Sequence, residues 1–153
     1  MALVHPWRGS SAPATLTPSR VAGFGQVRFR VRGGAAPFAG CALAALSTAQ
    51  QQQGLMGRTD LAGYDGMIFE WRSATTTAFY MKDTLIPLAI AWFDDRGRFV
   101  SSAEMVPCPA GTASCPLYQA ASPYTVAIEA PASGLTRIGI GPGSVLAVGG
   151  SCR

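Results

Sequence analysis

Residues 86–105 read IPLAIAWFDDRGRFVSSAEM. The first half, Ile86 to Asp94, is dense in bulky apolar side chains and predicts a central, buried strand. The second, Arg98 to Met105, predicts a strand returning antiparallel to it. Between them Asp94, Asp95, Arg96 and Gly97 carry the chemistry of a tight turn: an Asp side chain bonds backbone two residues on, and Gly accepts the positive φ such turns need. A hairpin with an apolar first arm needs further strands around it.

Those strands can be read outward from the hairpin. Towards the N-terminus, Gln26 to Arg32 alternates strictly, with Val27, Phe29 and Val31 on one face and Arg28, Arg30 and Arg32 on the other. This is a half-buried strand whose arginine row reads as a solvated face or as an edge protected against pairing. Pro37 to Ala45 is small and apolar and predicts a buried strand. Ser47, a hydroxyl cap followed three residues later by Gln50, opens a helix expected over Thr48–Met56 and ended by Gly57. Met67–Trp71 and Thr76–Lys82 are expected as strands before the hairpin, Tyr124–Glu129 and Val145–Val148 after it. Seven or eight short strands and one short helix give an α+β class that is mostly β, a small curled or barrel-like antiparallel or mixed sheet. Residues 1–24, with Pro6, Pro13 and Pro18 among small polar residues, read as a flexible arm; residues 25–153 read as one domain.

Composition narrows the chemistry. The chain has 153 residues, 48% hydrophobic and only 13% charged, with 18 Gly and 11 Pro. That is enough for one real core and too apolar for a disordered tail. Its single histidine, His5, lies in the arm, which removes His-based metal sites and His-dependent nucleophile systems; no metal site and no cofactor is expected. The net charge of +4 is not spread evenly: residues 1–59 hold six arginines and no acid, whereas residues 60–153 hold six basic and eight acidic residues. The basic character belongs to the N-terminal third, so nucleic acid is an unfavoured partner. No apolar run is long enough for a transmembrane helix, and the opening residues lack the pattern of a secretory signal.

Four cysteines allow three pairings. Cys108 with Cys115 is the natural local bridge across a Pro/Gly/Ser/Thr-rich loop, and Cys41 with Cys152 would then tie an early strand to the C-terminus; a reducing compartment would leave all four as thiols. The spacing fits neither a C-x-x-C redox pair nor a zinc knuckle.

Four segments recur in a familiar order: GLMGR at 54–58, GMIF at 66–69, FYMKDTLIPL at 79–88, and MVPC at 105–108 followed by Cys115 and Tyr118. Together they resemble the domain of unknown function 192 family, also called UPF0127, over residues 38–148. The resemblance implies a small, mostly β domain. Many members look exported or lipid-anchored, which suits the cysteines and an extracytoplasmic setting, with the cytoplasm as the alternative. It implies no activity. The chain departs from the family pattern at Asp83, where Asn is usual, and at Ala89, where Asp is usual. If that aspartate were a shared catalytic acid, this chain would be impaired or would use Asp83 instead.

The polar residues of these motifs are the candidate site. Arg58, Lys82, Asp83 and Tyr118 are read as ligand-binding residues edging a pocket, with Arg58 alternatively held in an ion pair with Asp83 or Glu129. The first function expected is a noncatalytic module, monomeric, that binds an unidentified small molecule or protein. The alternative is a hydrolase or lyase using an Arg/Lys/Asp pocket, with Asp83 as acid or base. Less favoured is nucleic-acid or membrane-surface binding through the arginine strand.

Overall fold

A computed structural model describes residues 17–152. Among the described residues eight strands form one sheet: β1 (Thr17–Pro18), β2 (Gly25–Arg32), β3 (Phe38–Ala45), β4 (Gly66–Thr75), β5 (Leu88–Phe93), β6 (Phe99–Met105), β7 (Tyr124–Pro131) and β8 (Val145–Val148). A six-residue helix, α1 (Thr48–Gln53), and a 3-10 turn over Thr136–Ile138 complete the order. The sheet runs β1-β2-β3-β4-β7-β5-β6, and β8 also pairs with β2.

The hairpin forms as its sequence dictates. The Asp94 carboxylate accepts the amides of Arg96 and Arg98, each at 2.9 Å, and the Arg98 Nε at 3.0 Å. Burial pushes the Asp94 carboxyl upward, but these donors outweigh it and leave the group below its ordinary range. Gly97 takes φ +78°. A Cβ there would lie 2.3 Å from the Leu146 carbonyl oxygen, so this position needs glycine for space as well as for conformation. That close approach is a seam: the Leu146 amide donates to the Gly97 carbonyl at 2.7 Å and the Phe99 amide to the Ser144 carbonyl at 3.0 Å. Because β8 also pairs with β2, the seam brings the two ends of the sheet together and curls it into the barrel-like form expected from the strand count.

Curling creates an enclosed face and a covered one. Val27, Phe29, Val31, Ala42, Ala44, Ile68, Ala89, Ala91, Phe93, Val126, Ile128, Leu146 and Val148 fill the enclosed side. The many alanines fit a space too narrow for larger groups. The opposite face carries Leu43, Met67, Phe69, Ile90, Trp92 and Tyr124 under later segments of chain. β3 and β4 are parallel, unlike the other pairs, and parallel neighbours need a crossover. Residues 46–65 are that crossover. They place α1, Leu55, Leu61 and Tyr64 over the covered face.

Several expectations need correction. The strand expected over Thr76–Lys82 does not form: the segment's β-type pairing is limited to isolated bridges, Phe79 to Tyr118 and Lys82 to Cys108. The segment crosses over the covered face, burying Met81 without joining the sheet. The helix stops at Gln53 with Gly54 as its cap, short of Met56. β2 has neighbours on both sides, so its arginine row does not guard an edge; Arg30 and Arg32 are solvated. Most of the arm expected over 1–24 lies outside the described residues; its last part docks through β1 and the buried Val21.

Candidate functional site

Helix α1 begins with the capping box read from sequence. The Gln50 amide donates to Ser47 Oγ at 3.1 Å, while Gln50 Oε1 accepts the amides of Ser47 and Leu46 at 3.0 and 2.8 Å. Its next residue stitches the helix to the sheet: Gln51 Nε2 donates to the Glu70 carbonyl at 2.9 Å and the Ala45 carbonyl at 3.3 Å. The pairing of β3 with β4 ends at Ala45–Phe69, so Glu70 lies one residue past it, and the glutamine takes its carbonyl; against β7 the register of β4 shifts between Glu70 and Thr75. Beyond Glu70, β4 continues as Trp71 and Arg72, and the segment 77–84 folds back across the face.

Between α1, the outer end of β4 and this returning segment lies a cavity of about 610 Å3. Gln51, Gln52 and Gln53 line it from the helix, Leu55 and Met56 from the crossover, and Thr77, Phe79, Tyr80 and Thr84 from the returning segment. An aromatic cluster forms one wall. Phe69 and Trp71 are nearly parallel (16°, centroids 6.4 Å apart), and Phe79 stands at 89° to the first and 83° to the second, at 5.1 and 6.1 Å. The Tyr124 hydroxyl behind them donates to the Thr77 carbonyl, and burial pushes its ionisation upward.

Glu129, on β7, also lines the cavity and is only 5% exposed. Its register neighbours are Met67 on β4 and Ile90 on β5, both apolar. Desolvation alone pushes its carboxyl up to about 8 from the ordinary glutamate value. The sequence puts Glu129 last in an expected strand, Tyr124–Glu129, and offers it only as one of two alternative partners for Arg58. The signal that could have singled it out is an acid in a run whose other members, Tyr124 to Ala130, are apolar apart from Thr125.

The residues expected as ligand-binding lie elsewhere. Arg58 pairs with Asp60 (Nη2 to Oδ1 3.3 Å; Nε to the Asp60 carbonyl 3.0 Å), not with Asp83 or Glu129. Lys82 and Asp83 form a turn beside Cys108, three residues past the end of β6, where the Asp83 amide donates to the Cys108 carbonyl at 3.2 Å. Asp83 has φ +55°, a conformation that Asn and Asp tolerate better than other side chains, which explains a polar residue at this motif position without any chemistry. The Tyr118 hydroxyl accepts the Val106 amide at 3.2 Å. The Gly57 amide reaches the Asp83 carbonyl at 2.9 Å, so Arg58, Lys82 and Asp83 lie in adjoining segments. None of the four lines the cavity, although their chain neighbours Met56 and Thr84 do. Ala89 is fully buried on the enclosed face, away from the cavity. Among the described residues no group of three or more His, Cys, Asp or Glu side chains is placed to hold a metal ion.

The cysteines are paired as Cys108–Cys115 and Cys41–Cys152, with Cα atoms 5.8 and 5.7 Å apart. Among the described residues no helix is long and apolar enough to cross a membrane.

A small curled, mostly β domain with a crossover helix is a class that comparison with known proteins makes specific. The chain belongs to the domain of unknown function 192 family, described as "Uncharacterized ACR", whose profile matches residues 36–148. It is similar in structure to a protein of unknown function from Novosphingobium aromaticivorans DSM 12444 (28% identity, TM-score 0.74, covering 86% of this chain and 91% of that one). It also shares its fold with a protein from Sinorhizobium meliloti 1021 described as a candidate transcription regulator (23% identity, TM-score 0.72, covering 85% of this chain and 98% of that one). No curated protein matches the chain.

Proposed function

We propose that this domain is a noncatalytic ligand-binding module that takes a small molecule into the cavity between the crossover and β4. The observation that supports this most directly is the cavity of about 610 Å3 with Glu129 buried against it. A buried carboxyl is costly to a fold, and such groups gather at sites of function. Aromatic walls with a few convergent polar groups are the usual make-up of small-molecule sites. In this reading Arg58, Lys82, Asp83 and Tyr118 contact the part of a ligand that extends past Met56 and Thr84. The paired cysteines favour an extracytoplasmic, oxidising setting, and the domain acts as a monomer. The regulator description stays with the Sinorhizobium protein.

The test is a screen of neutral, anionic and cationic fragments by NMR, reading the Trp71 indole and the side-chain amides of Gln51–Gln53. Binders should move these signals. Gln52→Trp, a bulky group at an exposed lining position, should abolish the shifts while leaving the melting temperature nearly unchanged. Binders that move only signals outside the cavity would sink the reading. Turnover of a fragment would favour the hydrolase or lyase alternative.

A further inference from the structure

Glu129 is a buried acid set among groups that do not answer its charge. Its cross-strand neighbours, Met67 and Ile90, are apolar. Among the described residues no salt bridge reaches its carboxyl, and desolvation is what displaces its ionisation. The other titratable or charged groups lining the cavity are Glu70 and Arg72 of β4 and Tyr80. Glu70 is a second acid, and Arg72 and Tyr80 are exposed to solvent, which screens them. An anion entering this space meets aromatic rings, whose negative faces oppose it, and above about pH 8 an ionised Glu129 as well. A hard metal cation needs several oxygen ligands gathered together, and the described residues gather no such set.

An alkylated ammonium group has neither difficulty. It needs one counter-ion and is stabilised by aromatic rings, which attract cations over their faces most strongly where water is excluded. Here Phe69 and Trp71 lie in one orientation and Phe79 nearly perpendicular to both, beside the same cavity. We propose that the cavity selects a small organic cation, an ammonium bearing apolar substituents, with Glu129 as its counter-ion and the Phe69–Trp71–Phe79 cluster as its wall. This rests on the reading of the cavity as a ligand site and names the class of ligand.

The proposal has a signature that a merely apolar pocket lacks. Without ligand Glu129 keeps its proton up to about pH 8, and a permanent cation must displace that proton to gain its counter-ion. Affinity for such a cation therefore rises with pH through the neutral range, whereas affinity for a neutral molecule of similar shape does not. The probes are benzyltrimethylammonium, whose charge is independent of pH, and benzyl alcohol, titrated by calorimetry and by the Trp71 indole signal. The cation's affinity should rise about tenfold between pH 7 and pH 9 and exceed that of the alcohol. Glu129→Gln should remove both the rise and the preference; if that variant fails to fold, the wild-type pH profile decides alone. A flat profile for the cation, or an alcohol that binds as tightly at pH 9, overturns cation selection, and if the cavity signals still move, the cavity remains a ligand site. Silence towards both probes also overturns cation selection, and the broader fragment screen then decides the cavity reading separately.

Discussion

Glu129 makes the stability of the fold depend on pH in a direction opposite to that of a paired carboxylate. In the unfolded chain it ionises near 4.5, and in the fold it keeps its proton up to about 8. Between these values the unfolded state binds fewer protons than the folded one, so stability falls as pH rises across that window and levels off above it. The slope approaches about 1.4 kcal/mol per pH unit at its steepest. Glu129→Gln, which stays neutral, should remove this contribution, so that the variant gains on the wild type between pH 5 and pH 8. Urea unfolding of both proteins at each pH checks this; a constant difference between them would show that Glu129 is ionised in the fold. Arg58 illustrates the opposite case at the same scale. Its partner, Asp60, is two residues away and 72% exposed, a pair that contributes little to stability.

At the scale of elements, the hairpin and the crossover do the positioning. Gly97 is the turn of the β5–β6 hairpin and also the point where that hairpin meets β8. Gly97→Ala should cost about 1–2 kcal/mol for the left-handed backbone alone, and more for the clash with the Leu146 carbonyl. Because that clash is at the seam, hydrogen exchange should show the Leu146 and Phe99 amides losing protection more than the amides between β4 and β7. Uniform loss across all strands would mean that the seam is not a separate weak point. The strand expected over 76–82 is absent for a related reason. The segment is rich in apolar side chains because it lies over the sheet, and local sequence alone does not separate such a segment from a strand within the sheet.

At the scale of the molecule, two bridges close loops of very different size, with sequence separations of 7 and 111. In the chain-entropy account the short loop is worth about 2.5 kcal/mol and the long one about 4.7 kcal/mol. The long bridge also fixes a C-terminal tail whose Gly149 amide donates to the Arg28 carbonyl at 2.8 Å and whose Gly150 carbonyl accepts the Arg28 amide at 3.1 Å. Under oxidising conditions, replacing Cys41 and Cys152 by Ser should therefore lower the melting temperature more than replacing Cys108 and Cys115. The reverse order would show that the local bridge matters through strain in the 108–115 loop rather than through chain entropy. A melting point unchanged by either pair would remove the bridges from the stability of the domain.

The hairpin, the alternating strand β2, the capped helix and the local cysteine bridge were legible in the sequence, because each depends on residues close together in the chain: a period of two, an Asp–Gly turn, a Ser–Gln capping box. The family was legible too, in the order of its motifs. The candidate site was not. The motif residues Lys82 and Asp83 are polar because a left-handed turn and a solvated loop require it. Glu129 looked like one more strand residue, and Gln51 to Gln53 like good helix formers. What gathers them is the parallel pairing of β3 with β4, which sends α1 across the covered face, and the pairing of β4 with β7, whose register shifts between Glu70 and Thr75 where β4 borders the cavity. Both are pairings between segments far apart in sequence, decided by the sum of contacts over the whole sheet. Local sequence determines the elements, and only their tertiary arrangement decides which side chains share a cavity.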